Sequence, residues 1–398
     1  MRSSEITVRR GLGSVPGTVC RHGWVIGSRI GLILALFGHP APASETNRTN
    51  GARHGRGFSY QHDQIPEGPW SVHILKVDLA NTNLELHTTL AKGSNFGLTT
   101  LSDQIKTLPA DLGTPVAAVN GDYYRSDKPY VGDPKGLQIL EGELVSAPCD
   151  WTCFWIDGAG KPRMTNVVAE FRVTWPDGST TPFGLNEERS GSSAVLYTPR
   201  IGSSTHASGG VDLILEKAGE TPLVPLRAGS VLQARVRAVQ EGGDAPLAAD
   251  TLVLSISPQL VSRLPRLETG LKLKISTETT PDLKGVTTAI GGGPAIARNG
   301  KVLKTSGAEV RHPRTAIGWN KTNLFLVEVD GRQPNLSVGM TFPELATQMI
   351  KLGCDEAMNL DGGGSATFWV YGQIMNSPSE GRSRGMANAL ILIQKGKK

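Results

Sequence analysis

Three apolar runs in this chain end alike, and that shared ending constrains the fold more than any other feature. Val116-Ala-Ala-Val119 leads into Asn120-Gly121, Leu324-Phe-Leu-Val-Glu-Val329 into Asp330-Gly331, and Ala357-Met-Asn-Leu360 into Asp361-Gly362. Apolar runs this short, bounded by turn residues, predict buried strands. A polar side chain and a glycine at each strand end predict a common rim, where a rigid scaffold commonly carries function. The approach to the third run has the marks of a helix. Thr341 is placed as N-cap with Glu344 completing a capping box, Pro343 is tolerated in the first turn, and Gly353 suits the stop. Leu345, Met349 and Leu352 then share one apolar face.

Elsewhere, residues 72–79 and 84–90 are strand-like and residues 100–108 form a short amphipathic pattern. From about 165 to 285 alternating strand-like runs are separated by Gly, Pro and Asp turns, which predicts an all-β insertion without evident chemistry. Gly291-Gly292-Gly293 opens a hairpin pattern that turns at Asn299-Gly300, as Gly362-Gly-Gly364 opens another. Residues 44–68 are polar and aperiodic, predicting a flexible linker, with structure beginning near Pro69.

The N-terminal 43 residues read as a secretory leader: arginines, an apolar stretch, then Ala41-Pro-Ala43 as cleavage site, with export to a secreted or periplasmic location. The uninterrupted apolar run, residues 30–37, is far short of the ~20 residues of a stable membrane span. That leader also carries most of the net charge of +5. No Lys/Arg-rich run with interleaved aromatics follows it, which argues against a nucleic-acid partner. Cys149 and Cys153 have spacing for a small disulfide loop in an oxidising compartment, leaving Cys354 as a buried thiol.

The richest chemistry lies around the third strand end. Gly362, Gly363, Gly364 and Ser365 can point N–H groups at an anion, with Asp361 and Asn359 adjacent. The lysine and helix of a P-loop are absent. A second polar cluster, His312-Pro-Arg314, offers a bidentate fork for phosphate and a proton donor near neutral pH.

These segments carry a resemblance. Val119-Asn-Gly-Asp-Tyr-Tyr124, Ile290-Gly-Gly-Gly-Pro294, Arg314-Thr-Ala-Ile-Gly318, Val329-Asp-Gly-Arg332, Gly339-Met-Thr-Phe-Pro-Glu-Leu-Ala346 and Asn359-Leu-Asp-Gly-Gly-Gly-Ser-Ala-Thr367 resemble the successive motifs of the phosphodiester glycosidase domain family. Arg384 with Asn388 resembles its closing strand. The resemblance, over about residues 70–395, implies an α+β fold: a mixed, strand-rich catalytic domain with few helices. It also implies hydrolysis of a sugar 1-phosphodiester, on a phosphorylated glycan, to free sugar and phosphomonoester. A phosphate leaving group needs little protonation, so the demands fall on holding its charge and stabilising an oxocarbenium-like centre. Asp361 or Asp330 suits the second demand; Arg314, His312, Gly292, Arg384 and the glycine loop suit the first. Asn120 and the carboxylates are hard ligands, so a divalent metal is compatible, although no Ca²⁺ loop pattern occurs. Two other readings fit the same residues: a metal-dependent phosphodiesterase cutting P–O, and a noncatalytic exported phosphoglycan-binding protein.

Overall fold

The computed structural model describes residues 47–48, 53–305 and 310–396; the expected leader lies outside them. Strands make up 43% of the described residues and helices 9%, the α-helices among them being Leu101–Lys106, Pro258–Val261 and Phe342–Lys351. The fold is therefore mainly β, which corrects the α+β expectation. Few helices were expected, but they do not form a layer: only Phe342–Lys351 runs beyond two turns.

Three sheets enclose one core. The first orders Phe58–Ile65, Trp70–Asp78, Asn323–Val329, Arg314–Trp319, Glu356–Asn359 and Ala295–Arg298 as antiparallel neighbours. The second contains Phe368–Val370, Thr114–Asn120, Ala389–Gln394 and Leu84–Thr88. The third contains Thr152–Ile156, Thr288–Gly291 and Gln138–Leu140. Their inner faces meet through Leu75, Val116, Val119, Phe154, Ile290, Ile317, Phe368 and Leu390, all fully buried. At ~25 cal/mol per Å² of apolar surface, each such side chain contributes about 1.5–3 kcal/mol.

Residues 172–276 build an eight-stranded sheet of their own with a separate apolar cluster. Its Val231–Gly243 strand illustrates the cause. Leu232, Ala234 and Val236 are buried while Gln233 and Arg235 between them are exposed, the period of two that a half-buried strand requires.

The Phe342–Lys351 helix has the reciprocal Thr341–Glu344 capping box, and its Leu345 and Met349 pack against the outer face of the first sheet. Two other expectations need correction. Phe58–Ile65, inside the segment read as linker, is a strand paired along its length with Trp70–Asp78. Its Phe58 and Tyr60 alternate into the core between polar neighbours, so polar composition hid a two-residue period. Cys149 and Cys153 are free thiols. Cys153 is turned into the core beside Leu137, Leu144 and Val167, whereas Cys149 lies exposed in the preceding loop. Among the described residues no helix is long and apolar enough to cross a membrane.

Candidate active site

Antiparallel pairing brings the expected rim together. The ends of Thr114–Asn120, Asn323–Val329 and Glu356–Asn359 lie at the same edge as the starts of Arg314–Trp319 and Ala389–Gln394, as the registers Arg314↔Val329, Ala316↔Asn359 and Ala389↔Asn120 require. Two of the rim glycines exist for close backbone approach. A Cβ on Gly331 would stand 2.6 Å from the Pro313 nitrogen, and one on Gly362 would stand 2.6 Å from the Pro313 carbonyl oxygen. The His312–Arg314 segment is thus clamped between two strand ends.

Asn120 is a structural tie. Its Nδ2 donates to the Asp361 carbonyl at 2.7 Å, and its Oδ1 accepts from Thr315 Oγ1 at 2.6 Å and the Thr367 N–H at 3.1 Å. It has no capacity left as a metal ligand.

The glycine loop is also largely closed to an anion. The Gly362 N–H donates to Asp361 Oδ1 at 2.8 Å, the Gly363 N–H to the Pro313 carbonyl at 2.9 Å, and the Ser365 N–H to the Gly362 carbonyl at 3.1 Å. The chain forms a 3₁₀ turn over Gly363–Ser365 rather than an open nest.

Asp361 is oriented by its neighbours. Its own N–H donates to the Gly121 carbonyl at 2.9 Å. Burial pushes its carboxyl above the usual range, while hydrogen bonds from Ser365 and the Gly362 N–H and the charges of Arg384 and Lys135 pull it back.

A second carboxylate, Asp122, stands with it; it lies two residues past the Asn120 strand end, where no sequence signal separates it from an ordinary turn aspartate. Burial raises Asp122 to about 7, with the Asp361 charge adding to the effect. Its Oδ1 accepts the Tyr123 N–H at 2.7 Å and its Oδ2 the Gly136 N–H at 2.8 Å. Asn388 holds the same loop by accepting the Asp122 N–H at 2.8 Å. With both oxygens held and 2% exposure, Asp122 is a positioning residue that shares the field of Asp361.

Tyr123 and Asn359 line the same place. Asn359 Nδ2 donates to Tyr123 Oη at 2.9 Å and to the Gly293 carbonyl at 3.0 Å, while Asn359 Oδ1 is buried without a donor. Burial and the Asp361 charge push the tyrosine up to about 12, so it stays a neutral phenol at physiological pH. Gly292 backs this corner, where an added Cβ would meet the Asn359 carbonyl oxygen at 2.9 Å. Trp151, 48% exposed, stands edge-on to Tyr123 with ring centroids 6.2 Å apart.

The cations are distributed differently from the expectation. Arg314 is buried, with Nε donating to the Met340 carbonyl at 2.9 Å, Nη2 donating to the Val310 carbonyl at 3.0 Å, and its guanidinium over the Phe342 ring. It supports the clamp. Arg332 is exposed, reaches His312 Nδ1 at 3.2 Å, and lies 3.0 Å from where a Gly363 Cβ would be. Among the described residues it makes no ion pair. Arg384 reaches over Gly364 while paired with Glu380. Burial and the charges of Arg314 and Arg332 hold His312 below the usual histidine range, so its ring is neutral at pH 7 and unsuited to the proton-donor role expected of it.

Asp330 belongs to another cluster. Its Oδ2 accepts from Ser71 Oγ at 2.8 Å and lies 3.2 Å from His73 Nε2, and its Oδ1 accepts the Ser377 N–H at 2.7 Å. It makes no hydrogen bond with the Asp361 loop among the described residues. Glu328 stands beside it, pushed well above the carboxylate range by burial and then by the Asp330 charge.

A cavity of about 740 Å³ opens at the opposite end of the strands between Asp78, Trp319 and Asp355. It does not gather the rim's convergence of carboxylates, tyrosine and arginines, so the site is placed at the rim. A smaller cavity of about 270 Å³ does adjoin it, lined by Lys135, Cys149, Arg125, Asp133 and Glu187.

Comparison with known proteins gives a family for part of the chain. Residues 233–393 match the phosphodiester glycosidase family. The resemblance read from the motifs is to that same family. The matched stretch holds Arg314, Asp330, Asn359, Asp361 and Arg384, whereas Asn120, Asp122 and Tyr123 come to the site from outside it. Over 68 residues the chain is 40% identical to the N-acetylglucosamine-1-phosphodiester alpha-N-acetylglucosaminidase of Bos taurus, covering 17% of this chain and 12% of that protein. Over 96 residues it is 33% identical to the SPbeta prophage-derived uncharacterized protein YomE of Bacillus subtilis (strain 168), covering 24% of this chain and 15% of that one. The chain thus spans a small part of either relative. Two solved structures share the fold. A protein from Synechocystis superposes with a TM-score of 0.68 at 19% identity, covering 88% of this chain and 64% of its own. One from Burkholderia pseudomallei K96243 superposes at 0.64 and 22% identity, covering 82% and 74%.

Proposed function

We propose that this chain is an exported hydrolase that cleaves the glycosidic C–O bond of a sugar 1-phosphodiester, on a bacterial cell-envelope or extracellular glycan. The observation that carries the reading is the oriented carboxylate Asp361, set beside buried Asp122 and beneath a rim of Arg332, Arg384 and Lys135. A departing phosphomonoester is already a good leaving group, so the reaction needs cations around the phosphate and an anion near the anomeric carbon. Arg332 and Arg384 supply the first, taking the role that the sequence suggested for Arg314 and the glycine loop. Asp361 supplies the second as nucleophile, base or charge stabiliser. Asp122, raised to about 7 by burial and by the Asp361 charge, is the carboxyl that keeps its proton, which leaves the negative charge on Asp361. Neutral Tyr123, partly exposed at the rim, offers a hydrogen-bonding position for a sugar hydroxyl. Trp151 gives an apolar face at the mouth of the cleft.

Water adds its oxygen to the anomeric carbon, the bridging oxygen leaves with phosphate, and one proton is released or taken up by the monoester. Hydrolysis of a panel of sugar 1-phosphodiesters in ¹⁸O-water tests this. Label in the free sugar supports the proposal. Label in phosphate, with sugar 1-phosphate as product, replaces it with P–O cleavage, and binding without turnover replaces it with a noncatalytic glycan-binding role.

A further inference from the structure

Beside the rim, three ionisable side chains converge for which the proposed hydrolysis has no use. His73 lies directly across the strand pair from Glu328, and Asp330 follows two residues on, on the same face of the same sheet. One donor atom from each lies within 4.8 Å of the others, and all three residues are at most 2% exposed. Among the described residues no lysine or arginine pairs with either carboxylate; the ion-pair contact is His73 with Asp330. Two buried carboxyl groups and one imidazole therefore share a pocket where no lysine or arginine is at hand to balance the charge of both carboxylates.

The hydrogen bonds around this cluster leave its centre open. Glu328 Oε1 accepts from Asn376 Nδ2 at 3.1 Å, while Glu328 Oε2 is buried without any partner. Asp330 Oδ1 is held by the Ser377 N–H, and Oδ2 accepts from Ser71 Oγ at 2.8 Å with its other lone pair toward His73 Nε2. The other side of the imidazole, Nδ1, is 2.8 Å from Tyr60 Oη. With the proton on Nδ1 and donated to the phenol oxygen, the Nε2 lone pair faces the carboxylates. An outer hydrogen bond that fixes the tautomer in this way is the usual support of a metal-bound histidine.

We infer that His73, Glu328 and Asp330 bind one divalent transition-metal ion of the Zn²⁺ class. One nitrogen and two carboxylate oxygens suit that ion, and its two charges balance the two carboxylates. The site is structural: Asn376 and Ser377 hang from Glu328 and Asp330, and they begin the loop that carries Arg384 over the glycine turn. It is independent of the hydrolytic reading, because the ion would sit among residues that the reaction leaves untouched.

The test uses the full chain, stripped with chelator and dialysed against Zn²⁺ or Co²⁺ alone. Wild type is expected to retain about one Zn²⁺ per chain after desalting, to melt higher with it, and to give intense visible d–d bands with Co²⁺ that Zn²⁺ displaces. Glu328→Gln keeps the shape and the Asn376 contact side but should bind Zn²⁺ at least tenfold more weakly. Asp361→Asn should bind as wild type does. Failure of wild type to retain Zn²⁺, or equal retention by Glu328→Gln, overturns the inference. Should Glu328→Gln not fold, the wild-type Co²⁺ spectrum decides alone, since only weak, octahedral-type bands would place the ion on the surface.

Discussion

Replacing Asp122 by Asn measures how strongly the paired carboxylates feel burial and each other. The carboxyl is fully enclosed and raised from an ordinary 3.8 to about 7. A shift of roughly three units corresponds to about 4 kcal/mol between the protonation states, with no discount for solvent because the group is buried. The sign follows from proton binding. The folded protein holds this proton more tightly than the unfolded chain, so the stabilisation is complete below pH 3.8, declines as pH rises, and is lost once pH passes about 7. Asparagine does not titrate. It also turns an amide NH₂ toward either the Gly136 or the Tyr123 N–H, a pH-independent cost of about 1–3 kcal/mol. The variant should therefore be the less stable protein at pH 4, and the gap should close or reverse by about 4 kcal/mol at pH 8. At ~2.1 cal/mol/K of unfolding entropy per residue, a chain this long shifts Tm by about 1.2 °C per kcal/mol, hence about 5 °C. Melting curves of both proteins from pH 4 to 8 give the difference directly. Glu328 titrates in the same sense but is common to both proteins and cancels, and Asp133, raised to about 8 chiefly by burial and the Glu187 charge, nearly cancels because the Asp122 charge is its smallest cause. A gap constant to within about 1 kcal/mol would refute the reasoning, since Asp122 would then titrate alike in folded and unfolded chains.

Asp361→Asn should lower kcat by about 10²-fold or more with KM changed little, as expected of a charge that acts in the transition state; steady-state kinetics on a turned-over phosphodiester checks it. Because burial raises Asp361, activity that needs it ionised should fall on acidification at a pH above the ordinary aspartate range, read from the acid limb of kcat/KM. Arg332→Ala should weaken substrate binding about tenfold without moving Tm, because the side chain is exposed and makes no ion pair among the described residues. Trp151→Ala should raise KM several-fold with kcat nearly kept, and ligand quenching of tryptophan fluorescence should fall with it. Alkylation of denatured, unreduced protein should label both Cys149 and Cys153, since both are free thiols; a mass lacking two labels there would show them paired.

What was legible in the sequence was local. The Thr341–Glu344 capping box needs residues only three apart, and the structure has it. The rim could be read because the same signal, an apolar run followed by a polar residue and glycine, recurs at Asn120, Asp330 and Asp361. What failed depended on distant partners. Asp122 sits in a quoted motif, yet its raised carboxyl comes from enclosure by Gly136 and Gly291, which reach it from two other parts of the chain. The glycine loop had the composition of an anion nest, but Pro313, brought in by the neighbouring strand, takes one of its N–H groups. Arg314 looked like a phosphate fork until Met340 and Val310 supplied carbonyls for it. One signal was present and unused: Glu328 interrupts the apolar run from Leu324 to Val329, and an ionisable residue on a core-facing strand calls for a partner, here His73 across the strand pair.

The two carboxylate clusters also explain each other. Asp330 and Asp361 end strands separated by a single strand, so their backbones stand roughly 10 Å apart at ~4.8 Å per strand spacing. Two carboxylates left open to one cleft at that distance would compete for the same cations. The clamp on His312–Arg314 prevents this by filling the space between them, Gly331 on one side and Gly362 on the other. Asp330 is directed toward His73 and Ser377, and Asp361 toward Ser365 and the basic rim. The glycine after each carboxylate is then required by the clamp, and in the proposed hydrolysis the phosphate charge falls to Arg332 and Arg384, which lie beside Gly363 and Gly364 of the glycine turn.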